Sequence, residues 1–142
     1  EEEEERKIME ENMTLKKFED FNLKPVISSD DILKMQYFVK KIYLDEHIKS
    51  YILSIVKKTR DKNYKDAEYI AYGASPRASI SLFIASKARA LMEGRDFVLP
   101  EDVREVVYDV LRHRLVPSYK ATIKGLKSDD LIRNILEEVR VI

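Results

Sequence analysis

Apolar residues recur along this chain at steps of three and four almost without a break, because only three glycines and four prolines interrupt it. Residues spaced in this way fall on one side of an α-helix, whereas a half-buried strand needs strict alternation, and no run alternates convincingly. The pattern predicts an all-α fold, a compact helical bundle of about five or six helices with no significant sheet. With 142 residues and 44% apolar content, the chain has the size and material for one modest core.

The elements can be followed along the sequence. Glu1 to Arg6, continuing into Lys7-Ile8-Met9-Glu10, reads as a polar helix with little to bury. Phe18, Phe21, Leu23 and Pro25 lack helical spacing and suggest an irregular segment lying across the outside of the core. Ser28 and Ser29 before Asp30-Asp31 supply a hydroxyl cap and first-turn carboxylates for a helix with Ile32, Met35, Gln36, Val39 and Tyr43 along one side. Asp45 caps the next helix, whose Ile48, Tyr51, Ile52, Ile55 and Val56 form an apolar stripe, and both helices read as core elements. Arg60 to Tyr69 is polar and loop-like, with a helical piece around Asp66 to Tyr72.

Gly73-Ala74-Ser75-Pro76-Arg77-Ala78 then gives a turn glycine, a serine N-cap, and proline at the first helical position, where its missing N–H costs nothing. That helix runs to Glu93 and ends at Gly94. Pro100-Glu101-Asp102 opens another, with Val103, Val106, Val107, Val110 and Leu111 on its buried side, although Leu99 offers no side-chain acceptor as its cap. A last helix, capped by Ser128, carries Leu131, Ile132, Ile135, Leu136 and Val139.

Charge and composition exclude several functions. Lysine plus arginine (26) equals aspartate plus glutamate (26), so no general basic field favours nucleic acid or an anionic membrane surface. With no cysteine and only His47 and His113, neither disulfides nor a zinc site is expected, and no metal ligands are assigned. Adjacent carboxylates splay around a helix, so the N-terminal glutamate run reads as a solvated helix end. No apolar stretch approaches the roughly 20 residues of a membrane span, and the acidic start is unlike a signal peptide, which points to a soluble, cytoplasmic chain. It begins at Glu1 without methionine, as a piece of a longer protein would.

The helix from Pro76 to Glu93 is rich in Ala78, Ser79, Ser81, Ala85, Ser86, Ala88 and Ala90, which let neighbouring helices approach and make it a central element. At about 100° per residue, Ile80, Ile84, Ala88 and Leu91 form one stripe, with Arg77 projecting from the same side. A cation in a first helical turn opposes the positive end of the macrodipole, by roughly 0.3–1 kcal/mol when exposed. Something negative should offset it: a carboxylate elsewhere in the bundle, or a bound anion such as phosphate.

Gly73-Ala74-Ser75-Pro76-Arg77-Ala78, Ala88-Arg89-Ala90-Leu91, Gly94-Arg95-Asp96-Phe97-Val98, Pro100-Glu101-Asp102-Val103 and Leu111-Arg112-His113-Arg114 resemble, in order and spacing, the C-terminal lid of the MoxR family of AAA+ ATPases. The resemblance covers roughly Val39 to Ile142. It implies a helical lid domain over residues 39–142, preceded by a connecting segment, residues 1–38, that leaves the ATPase core. It also implies that Arg77 is the sensor-2 arginine, reaching the γ-phosphate of ATP, with Gly73, Ser75 and Pro76 supporting it. In the same terms Mg²⁺ would be held by the core, the full protein would hydrolyse ATP as a homo-oligomer, hexameric in family terms, and it would remodel or mature partner proteins, von Willebrand factor A domain proteins among them. The chain has no Gly-x-x-x-x-Gly-Lys-Ser/Thr loop, so it is not expected to hydrolyse ATP by itself.

Other residues have plainer readings. His113 suits a helix C-terminus; Arg114 could cap that end, form a buried salt bridge or contact nucleotide; Arg95 and Asp96 could pair locally. Two further functions compete: a helical DNA-binding module using Arg77, Lys87 and Arg89, and a ligand-free interaction domain. The first is disfavoured because those three residues lie on different sides of their helix.

Overall fold

The computed structural model describes residues 2–13 and 21–140, with the side chains of 11–13 left aside. The chain forms two compact units, divided between Leu33 and Lys34. In the first lie α1 (Glu2–Met13) and the start of α2 (Ser29–Lys41). The four glutamates opening α1 are exposed, as are Ile8 and Met9. The expectation at Phe18 lies outside the described residues, while Phe21 and Leu23 are exposed. Ser28 caps α2: its hydroxyl accepts from the Asp31 N–H (3.2 Å), and the Asp31 carboxylate accepts from the Ser28 N–H (3.0 Å). The reciprocal bonds satisfy two donors that a helix start otherwise leaves open.

The second unit is built on α3 (Glu46–Lys58), α4 (Pro76–Met92), α5 (Pro100–Leu111), α6 (Tyr119–Ile123) and α7 (Ser128–Glu138). Asp45 caps α3 by accepting the His47 N–H at 2.8 Å, and the five residues of its sequence stripe are its buried residues. α4 and α5 form a helical hairpin whose connection turns at Gly94, at φ +71°, where a side chain would be strained. Leu82, Val103, Val107, Leu111, Leu131, Ile132 and Ile135 are fully enclosed between these helices. The all-α reading therefore holds, with two short strands added among the described residues: β1 (Ile70–Tyr72) pairs antiparallel with β2 (Val116–Pro117). Tyr43 and Phe97 make a separate single bridge.

Three local expectations need correction. The helical piece around Asp66 to Tyr72 is a 3₁₀ turn over Ala67–Tyr69 followed by β1, because Ile70 and Tyr72 are drawn into pairing with Pro117 and Val116. α2 is not a core helix, since it has no buried residue, and Ile32, Met35 and Tyr43 are exposed. On α4, the Ile80 and Ile84 stripe also faces outward, at 60% and 53% exposure. The buried side is instead Ala78, Leu82, Ser86, Lys87 and Ala90. Ala78, Ser86 and Ala90 on that side let the backbones of α4 and its neighbours come close, while Leu82 fills the core between them.

Candidate functional site

Ser75 stands at the N-cap of α4 with extended backbone (φ −71°, ψ 167°), and Pro76 takes the first helical position. Its hydroxyl makes no capping bond, so the first turn is closed only by backbone, the Ala78 N–H donating to the Ser75 carbonyl at 2.9 Å. The uncapped amides at this end leave the positive pole of α4 uncompensated. Arg77 projects from that turn, exposed, with no hydrogen bond or ion pair among the described residues. Among the described residues no carboxylate supplies the offset considered from the sequence.

The segment leading into Arg77 is fixed from below. A Cβ at Gly73 would lie 2.2 Å from the Thr59 carbonyl oxygen and 2.7 Å from its carbon, so only glycine fits against the end of α3. One residue on, the Ala74 N–H donates to the Thr59 hydroxyl (2.9 Å), which itself donates to the Val56 carbonyl (2.7 Å). Gly73 thus has a packing reason of its own: it is a close approach of backbone to backbone, and not a turn with positive φ.

Because α4 and α5 run as a hairpin, the start of one lies beside the end of the other. Ser75, Arg77, Ile80 and Ser81 from α4 meet His113 and Arg114 around an open depression of about 510 Å³. Arg114 is half-buried, and its Nε donates to His113 Nε2 at 3.1 Å. Arg114 has no carboxylate partner among the described residues, so the buried salt bridge considered from the sequence is not formed. Its neighbour Arg112 contrasts with it, pairing with Asp129 (2.7 Å) and Asp109 (3.2 Å), which hold the guanidinium above its usual pKa through hydrogen bonding and charge. The grouping of Arg114 and His113 with Arg77 depends on the hairpin and was not visible in residue spacing.

Several other basic residues are occupied. Arg89 pairs with Glu93 (2.8 Å) and with Glu105. Arg95 does not pair with Asp96; it grips Asp102 through two bonds of 2.8 and 2.5 Å, because Asp102 is needed at the start of α5 and is nearly enclosed. Lys87, 9% exposed, donates to the Lys40 carbonyl at 3.2 Å and lies 4.8 Å from the centre of the Phe83 ring. Burial, with a contribution from Lys49, lowers its pKa. It closes the end of α2 and is unavailable to a partner, a role with no signal in its spacing.

The helical fold, with a small two-stranded sheet among the described residues, is that of an AAA lid domain. Residues 63–135 match the AAA lid domain family, and the chain belongs to that family. Some of its relatives carry MoxR names: it is 36% identical over 120 residues to chaperone MoxR1 of Mycobacterium tuberculosis, covering 82% of this chain and 32% of that protein. It is 44% identical over 69 residues to protein MoxR of Methylorubrum extorquens, covering 47% of this chain and 20% of that one. The crystal structure of a candidate ATPase from Cytophaga hutchinsonii superimposes with a TM-score of 0.82 at 32% identity, over all of this chain and 44% of that one. The resemblance to the MoxR-type lid is borne out. The chain spans about a third of the length of the curated relatives that it matches most extensively.

Proposed function

We propose that this lid senses nucleotide for an AAA+ ATPase core joined to it in a longer protein, with Arg77 as the sensor-2 arginine that meets the γ-phosphate of ATP. The observation that carries the proposal is the isolation of Arg77: a fixed cation in the first turn of α4, exposed, and without counter-charge among the described residues. An exposed cation at a helix start is destabilising by itself, so its favourable partner is best sought outside the bundle. A guanidinium supplies planar paired donors suited to a terminal phosphate, and a phosphate also suits the open amides at the same helix end. Gly73, Ser75 and Pro76 set where the helix begins and hence where Arg77 stands.

In this scheme residues 1–38 connect to the core and 39–142 form the lid. The core would hold the nucleotide's Mg²⁺ and supply the hydrolytic groups. The whole protein would be a cytoplasmic ATPase working as a homo-oligomer, a hexamer on family grounds, in chaperone-like remodelling or maturation of partner proteins, von Willebrand factor A domain proteins among the candidates. The DNA-binding alternative is weakened by the structure, because Lys87 is buried and Arg89 is paired, leaving one of its three contacts free.

The decisive experiment is Arg77→Ala in the protein that carries this chain together with its core. Slower ATP turnover, or a smaller preference for ATP over ADP, is the expected result. Steady-state kinetics and nucleotide affinities equal to those of the unaltered protein would remove Arg77 from the mechanism.

A further inference from the structure

We infer that Arg114 is a second arginine of the same phosphate site, so that the lid grips the terminal phosphate from two sides rather than one. The inference rests on the nucleotide-sensing role of Arg77 and extends it to a residue on another element. Three observations converge. Arg114, in the turn just past α5, and Arg77, at the start of α4, line one depression. Arg114 is half-buried yet has no carboxylate within salt-bridge distance among the described residues, whereas Arg89, Arg95, Arg112 and Arg133 each have at least one. Finally, its one hydrogen bond engages Nε, held by His113, which leaves both terminal nitrogens of the guanidinium free to donate.

Two guanidinium groups sharing a depression repel each other unless an anion lies between them, and a phosphate with several unshared oxygens can accept from both forks at once. A single carboxylate has only two oxygens and is matched by one arginine. The geometry therefore favours a group that is more highly charged than a carboxylate. The γ-phosphate of ATP, with its three terminal oxygens, meets that need better than the single bridged phosphates behind it.

The test uses the protein containing both core and lid, with affinities for ATPγS and ADP measured by calorimetry for Arg77→Gln, Arg114→Gln and Arg114→Lys. Loss of a charge-assisted hydrogen bond predicts about a tenfold weaker ATPγS affinity for Arg114→Gln. ADP affinity should change far less. Arg114→Lys, which keeps the charge and stem but not the fork, should fall between, and it decides the matter if Arg114→Gln lowers the unfolding temperature. Wild-type ATPγS affinity in both Arg114 variants, with weakening in Arg77→Gln, would overturn the two-arginine site and leave Arg77 standing. Wild-type affinity in Arg77→Gln would instead overturn the sensing role itself, and the second arginine with it.

Discussion

Thr59 serves two partners with one hydroxyl, donating to Val56 and accepting from Ala74, at 2% exposure. Thr59→Val keeps the shape but removes both bonds and leaves the Ala74 N–H without its acceptor. A loss of about 1–3 kcal/mol in unfolding free energy is expected, read from urea denaturation. Gly73→Ala would act on the same contact through volume: its methyl would collide with the Thr59 backbone, which has no flexible end to yield. That overpacking should cost on the order of 1–3 kcal/mol, measurable as a lower thermal midpoint. At this scale much of the candidate site was legible. Ser75-Pro76-Arg77 marks a helix start by residue chemistry alone, and the observed helix begins at Pro76. The reason for Gly73 was not legible, because its constraint comes from Thr59, distant in sequence and visible only once α3 and the loop are folded together. Arg114 and Lys87 were obscured for the same reason. A charged side chain carries no mark of whether a carboxylate, a helix end or solvent will meet it.

Among the elements, α5 shows how a helix starts without a capping side chain at the N-cap. Leu99 has no acceptor, and Asp102 works backwards instead, taking the Leu99 N–H at 2.7 Å while Arg95 binds both its oxygens. Burial raises the Asp102 pKa, but the bonds from Arg95 and from the Leu99 N–H outweigh it, and the net shift is downward. A carboxylate whose folded pKa lies below its unfolded value, about 3.9, stabilises fully above that unfolded value and loses its contribution as pH falls through the folded one. Asp102→Asn should therefore be less stable than the parent at pH 7, with the gap closing as the solution is acidified below about pH 4. Urea midpoints at both pH values check this, and a constant gap would contradict it. The faces of α3, α5 and α7 were readable because the bundle meets each from one side, so period and burial coincide. α4 misled because it is apolar around much of its circumference and the sequence cannot say which side has a neighbour. β1 and β2, three and two residues long, are too short to display any period.

For the molecule as a whole, stability should rest on the enclosed set around Leu82, Val107, Leu131 and Ile135. Leu131→Ala would open a cavity at the meeting of α7 with that core, costing about 2–5 kcal/mol, and circular dichroism should report the loss across all helices together. The neutral charge balance foretold from composition fits a surface where opposite charges are locally paired, as along Arg112, Asp109 and Asp129. Duplex DNA should not bind measurably even at low salt, and a salt-dependent association would revive the nucleic-acid alternative. The contact at Gly73 has one more consequence. There is no clearance against Thr59, and the next amide is tied to the same residue, so the two residues before the N-cap of α4 are held against the end of α3. The backbone leading to Arg77 is thus moored to α3, so a substitution at Thr59 should be felt at the start of α4 as well as in the core.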